Sequence, residues 1–131
     1  MHEFSTAQAI LNTILDAAKS YPVEKIIQIK LEIGEFTLLN HAQLRFALKT
    51  ISKGTPAEGA KILIKTLKGK IKCSDCGYEG ELESLPPHSY VISFSPFQCP
   101  KCGSPDTDIL GGRETNIKDI KLKLKTESRL Y

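Results

Sequence analysis

Between residues 3 and 21 the apolar positions Ala7, Ile10, Leu11, Ile14, Ala18 and Tyr21 recur at spacings of three and four. That is the period of one face of an α-helix, so a helix with a single buried stripe is expected there, ended by Pro22. A start at Glu3 satisfies the pattern, and so does a later start in which Ser5 and Gln8 form a capping box. From 25 to 33 the period drops to two, with Ile27, Ile29, Leu31 and Ile33 on one side and Gln28, Lys30 and Glu32 on the other. Such alternation predicts a strand covered on a single face, closed by Gly34. Asn40 with Gln43 three residues later marks a helix start, Leu44, Ala47, Leu48 and Ile51 supply its stripe, and Gly54 is placed for a left-handed stop. Two more strands are expected at 60–67, with Ile62 and Ile64 inward, and at 117–125, where Ile120, Leu122 and Leu124 alternate with Lys121, Lys123 and Lys125. The fold class is therefore α+β, a small three-stranded sheet with two helices.

The segment 70–110 breaks this rhythm. Its apolar residues are sparse, and it holds all four cysteines of the chain, in two knuckles: Cys73-Ser74-Asp75-Cys76-Gly77 and Cys99-Pro100-Lys101-Cys102-Gly103. A short turn aims two thiolates at one point, and two such turns complete a tetrahedral S4 shell. Gly77 and Gly103 stand where a knuckle commonly turns through positive φ. The 22 residues 77–98 between the inner cysteines are within the reach of a hairpin. Zinc is the default ion, and iron is the rival because the loops also resemble those of rubredoxin. Two disulfides are the third reading, disfavoured by a polar opening segment without a signal-peptide core, which points to the reducing cytoplasm. The expected organisation is a discontinuous domain, residues 1–69 and 111–131, with a zinc-ribbon-like domain at 70–110 inserted between strands. So small a segment needs a staple, and a closed S4 shell leaves no place for a substrate, so the ion is structural.

Composition narrows the function classes. With 40% hydrophobic and 25% charged residues the chain is an ordinary globular one, and no apolar run approaches the ~20 residues of a membrane helix. The net charge of +3 is modest, and only the run 65–72 approaches a basic patch, which reads as a solvated strand edge, so no nucleic-acid partner is expected. There is no nucleophile elbow, P-loop, dinucleotide fingerprint or His-Glu-x-x-His run, and Glu32, Glu35 and Glu58 are isolated, so no enzyme activity is expected.

The amino terminus reads Met1-His2-Glu3. The Met1 α-amine, the His2 amide nitrogen and the His2 Nδ1 can chelate one ion through a five- and a six-membered ring, leaving one position of a square plane open. Nickel(II) and copper(II) favour that nitrogen-rich tetragonal geometry. An idle terminal histidine is the alternative. Glu3 is beside the site, as a ligand or as favourable charge at a helix amino terminus. His41 reads as a polar surface residue, and His88, after Pro86-Pro87, is a further candidate ligand or a solvent histidine.

Taken together, Met1-His2-Glu3, Leu31-Glu32-Ile33-Gly34-Glu35, Arg45-Phe46-Ala47, Gly54-Thr55-Pro56-Ala57-Glu58-Gly59-Ala60 and the two knuckles resemble the HypA/HybF family of hydrogenase-maturation nickel-insertion proteins over nearly the whole chain. The resemblance implies a nickel-binding α/β domain with His2 as ligand and a structural zinc domain on Cys73, Cys76, Cys99 and Cys102. It implies a metallochaperone rather than an enzyme, which hands Ni(II) to the large subunit of a [NiFe] hydrogenase with a nickel-handling GTPase of HypB type as partner. A homodimer formed by exchange of the inserted module between copies is open to such a chain. Two departures stand out: the long linker between Cys76 and Cys99, and Gly112-Arg113-Glu114-Thr115 in place of a Gly-x-Glu-Leu entry to the last strand. A nucleic-acid-binding zinc ribbon and a rubredoxin-like electron carrier are the alternative functions.

Overall fold

The computed structural model describes residues 2–82 and 97–125. Its elements in chain order are α1 (His2–Ala18), β1 (Val23–Gly34), a 3-10 turn (Glu35–Thr37), α2 (His41–Ile51), β2 (Lys61–Leu67), β3 (Lys70–Cys73), β4 (Glu79–Gly80), β5 (Thr107–Gly111) and β6 (Thr115–Leu124). They form a mixed α+β fold with two three-stranded sheets, ordered β2-β1-β6 and β4-β3-β5.

The chain divides into two compact units. The first comprises Met1–Ile33, Leu38–Lys65 and Thr115–Tyr131, the second Gly34–Thr37 and Thr66–Glu114. In the first, fifteen buried apolar residues of α1, α2, β1, β2 and the loop before β2 form one cluster, with Ile117, Ile120 and Leu122 of β6 packed against it. The stripe expected of α1 is present at Ala7, Ile10, Leu11, Ile14 and Ala18. The helix stops there, however, and Tyr21 lies beyond it, exposed. The capping box does not form, because the helix already begins at His2: Ser5 Oγ donates to the His2 carbonyl, and Gln8 donates to Asn12. α2 follows its signals. Asn40 at φ −79°, ψ 116° accepts from the Gln43 N–H at 2.9 Å, and Leu44, Ala47 and Leu48 are buried.

β1 departs from simple alternation. Ile26 is fully buried and Ile27 is exposed, the reverse of the expected phase. The antiparallel register with β6 steps from Ile26↔Leu122 to Gln28↔Lys121, so Ile27 is an extra residue bulged out of the ladder, after which Ile29, Leu31 and Ile33 point inward as expected. Leu124, at the far end of β6, is also more exposed than its phase predicts.

In the second unit, β3 pairs antiparallel with both β4 and β5, an arrangement that sets Cys73 at the end of a strand facing Thr107. Ile71, Cys73, Cys99 and Phe36 are its buried apolar residues among those described. The Phe36 ring meets Phe97 edge to face at 4.9 Å and lies against the backbone of Gly69 and Gly112.

Candidate metal centre

The two knuckles are near copies of each other. In the first, the Cys73 N–H donates to the Tyr78 carbonyl at 2.8 Å and the Gly77 N–H donates back to the Cys73 carbonyl at 3.0 Å. In the second, the Cys99 N–H donates to Ser104 and the Gly103 N–H to Cys99, each at 2.9 Å. Both turns close through a left-handed glycine, at φ +78° for Gly77 and +80° for Gly103, where a β-carbon would be strained. In each knuckle the leading cysteine is buried and the trailing one exposed. The knuckles are tied to one another by the Ser104 hydroxyl on the Asp75 carboxylate and by the Ser74 N–H on the Asp106 carbonyl.

This framework gathers the four sulfurs within 4.8 Å of one another. Cys73 and Cys102 are 3.5 Å apart and Cys76 and Cys99 3.7 Å, far beyond a covalent S–S bond of about 2.05 Å, so all four are free thiols. An ion with bonds of about 2.3 Å to four tetrahedral sulfurs sets them about 3.8 Å apart. The donor set therefore fits a single S4-coordinated ion. The surroundings of the bare thiols set what such an ion must overcome. The Ser104 N–H draws the Cys102 thiol down, but local desolvation and the three neighbouring sulfurs outweigh it and push the group up to about 12. Burial raises Cys99, yet the N–H groups of Cys102 and Lys101 donate to its sulfur and bring it down to about 7. A divalent ion reverses this logic by holding all four as thiolates.

Among the described residues, these cysteines are the one group of three or more His, Cys, Asp or Glu side chains able to hold an ion together. His2 and Glu3 sit in the first turn of α1, and His41 opens α2. His88 and Met1 lie outside the described residues. The His2 amide is the first of the helix, where N–H groups have no intrahelical acceptor.

The sequence did not disclose how that turn is held. Glu3 Oε2 accepts from the Asn40 N–H at 3.0 Å, across 37 residues, fastening the start of α1 to the cap of α2. That bond, the largest cause, and the carboxylate's own backbone N–H hold Glu3 down at about 2. Phe4 and Phe46 meet edge to face at 6.4 Å beside it, both partly exposed. Glu3 was legible as favourable charge at a helix amino terminus, but its partner at the cap of another helix was not.

Comparison with known proteins bears on what these sites serve. A family model described as hydrogenase/urease nickel incorporation, metallochaperone, hypA matches residues 1–122. The hydrogenase maturation factor HypA of Methanopyrus kandleri is 41% identical over 137 residues, covering 97% of this chain and 96% of that one. Its counterpart in Methanocaldococcus jannaschii is 44% identical over 124 residues, covering 91% and 94%. Among solved structures, that of the Ni metallochaperone HypA from Helicobacter pylori matches with a TM-score of 0.62 at 19% identity, over 94% of this chain and 98% of that one. At that identity the likeness speaks for the fold alone.

Proposed function

This chain belongs to the HypA family of hydrogenase/urease nickel-incorporation metallochaperones, a family of maturation factors rather than enzymes, and from that premise we propose that it carries Ni(II) at its amino terminus and delivers it to the large subunit of a [NiFe] hydrogenase. The Met1 α-amine, the His2 amide nitrogen and His2 Nδ1 hold the cargo, and Glu3 orients the turn. The observation that carries this reading is the start of α1 at His2, which leaves that amide without a helical acceptor and so available as a ligand. Three local nitrogens and one exchangeable position suit an ion that must be passed on by ligand substitution.

The cysteine site has the opposite character. A closed S4 shell on Cys73, Cys76, Cys99 and Cys102 holds zinc in a structural role and takes no part in transfer. The partners are a nickel-handling GTPase of HypB type and the hydrogenase subunit, met in the cytoplasm. The names of the relatives favour a hydrogenase as recipient.

The test is metal analysis of protein with its native, untagged amino terminus. His2→Ala, or one residue added before Met1, abolishes nickel binding while zinc content and fold persist. Equal nickel binding by the extended protein, with the same square-planar absorption, would overturn the amino-terminal chelate and turn attention to His41 and His88.

A further inference from the structure

The run 65–72 drew attention in the sequence, but the structure concentrates positive charge elsewhere. Arg45 and Lys49, one turn apart on α2, Lys53 in the turn that follows, and Lys61 at the start of β2 line one open cleft of about 500 Å³. Its floor is apolar, with Ala60 and Ile62 both buried. Among the described residues none of the four cations forms an ion pair. The carboxylate in the lining, Glu58, is engaged by the Gly54 N–H at 3.0 Å. Four cations against one carboxylate leave an excess of positive charge around the cleft, which an anionic occupant offsets.

We propose that this cleft is a docking surface for an extended, acidic segment of a protein partner. Two observations favour a peptide over a compact phosphate. First, β2 is the terminal strand of its sheet, and Lys61 and Ile62 belong both to that strand and to the cleft, so charge and backbone hydrogen-bonding groups lie side by side. Arg45 already reaches over this strand, its Nε donating to the Ile62 carbonyl at 3.4 Å. Second, Glu58 within the lining repels a dense trianion but tolerates carboxylates spaced along a chain, two residues apart on the face that meets the lysines. The lysines of β6 lie on the opposite edge strand, so among the described residues the cations of the cleft do not run on into them as a stripe for a polynucleotide. The surface stands independently of the nickel reading, since it uses neither His2 nor the cysteines.

The probe is the acetylated, amidated peptide Glu-Val-Glu-Val-Glu, titrated into the ¹⁵N-labelled full chain in its metal-loaded form. Amide shifts centred on Lys49, Lys53, Lys61 and Ile62 are expected, with affinity falling about fivefold or more between 50 and 300 mM NaCl. The paired change Lys49→Gln and Lys61→Gln, with an unchanged circular dichroism spectrum, lowers affinity about tenfold, whereas Lys121→Gln and Lys123→Gln on β6 leave it unaltered. Equal affinity for the peptide with glutamine in place of glutamate overturns the proposal. So does equal weakening by the β6 pair, tighter binding of inorganic triphosphate or duplex DNA at the same residues, or absence of shifts in the cleft at millimolar peptide.

Discussion

Stripping the ion from the cysteine site should melt the second unit and spare the first. The asymmetry follows from where apolar surface is buried. Unit two has two large buried apolar side chains among its described residues, Ile71 and Phe36. Full burial of such a side chain contributes about 1.5–3 kcal/mol, so the pair supplies about 3–6 kcal/mol. Coupled binding and folding at a structural zinc site supplies an apparent ~10–16 kcal/mol. The metal term exceeds the hydrophobic one by about 4 kcal/mol at the least, and it acts on the end of β3 and the loop before β5, where Cys73 and Cys102 are placed. The first unit has fifteen buried apolar residues and no cysteine, so nothing in its core depends on the ion.

Native-state amide exchange resolves the two units separately. After chelation, protection at Ile71, Lys72 and Cys73 in β3 and at Thr107–Gly111 in β5 should fall by about a thousandfold or more. Protection at Ile29, Leu31 and Leu48 should change by less than about threefold. Retained protection in β3 and β5 would refute the metal as the main staple. Simultaneous loss at Leu31 and Leu48 would refute the independence of the first core.

Three further outcomes can be checked. Gly34→Ala would drive a β-carbon into the Gly112 carbonyl, a backbone group unable to rotate away, and should cost about 1–3 kcal/mol in guanidinium denaturation of the metal-loaded protein; no measurable change would show that this crossing is looser than described. Leu48→Ala, at a fully buried position in the core of the first unit, should cost about 2–5 kcal/mol by the same assay. Glu3→Ala should speed exchange of the Asn40 amide while leaving that of Gln43 protected, because the first depends on the Glu3 carboxylate and the second on Asn40's own side chain.

What the sequence disclosed and what it hid divide along a physical line. The knuckles were legible because coordination geometry is local: two cysteines on one tight turn, followed by a glycine, specify nearly the same shape wherever they occur. The α2 cap was legible for the same reason, since the Asn40 side chain accepts from the Gln43 N–H within one turn. The phase of β1 was not. Ile26 and Ile27 are both apolar and either suits an inward position, and the choice is made by the register against Leu122 and Lys121, some ninety-five residues away. The partner of Glu3, the glycines beneath Phe36 and the gathering of Lys61 with Arg45 and Lys49 are likewise products of tertiary packing.

The same line separates the two metal sites and bears on how each can work. The cysteine shell draws its ligands from two segments of one unit, so releasing its ion means taking apart β3, β5 and the turns between them. Such a site suits an ion that stays. The proposed amino-terminal chelate draws its nitrogens from adjacent residues, and the fold contributes only the turn that presents them, fixed through Glu3 to the cap of α2. Release there breaks bonds within one dipeptide and leaves the core of fifteen residues undisturbed. Exchange at such a site is limited by ligand substitution rather than by unfolding, which is the property a carrier of nickel needs and a structural site must lack.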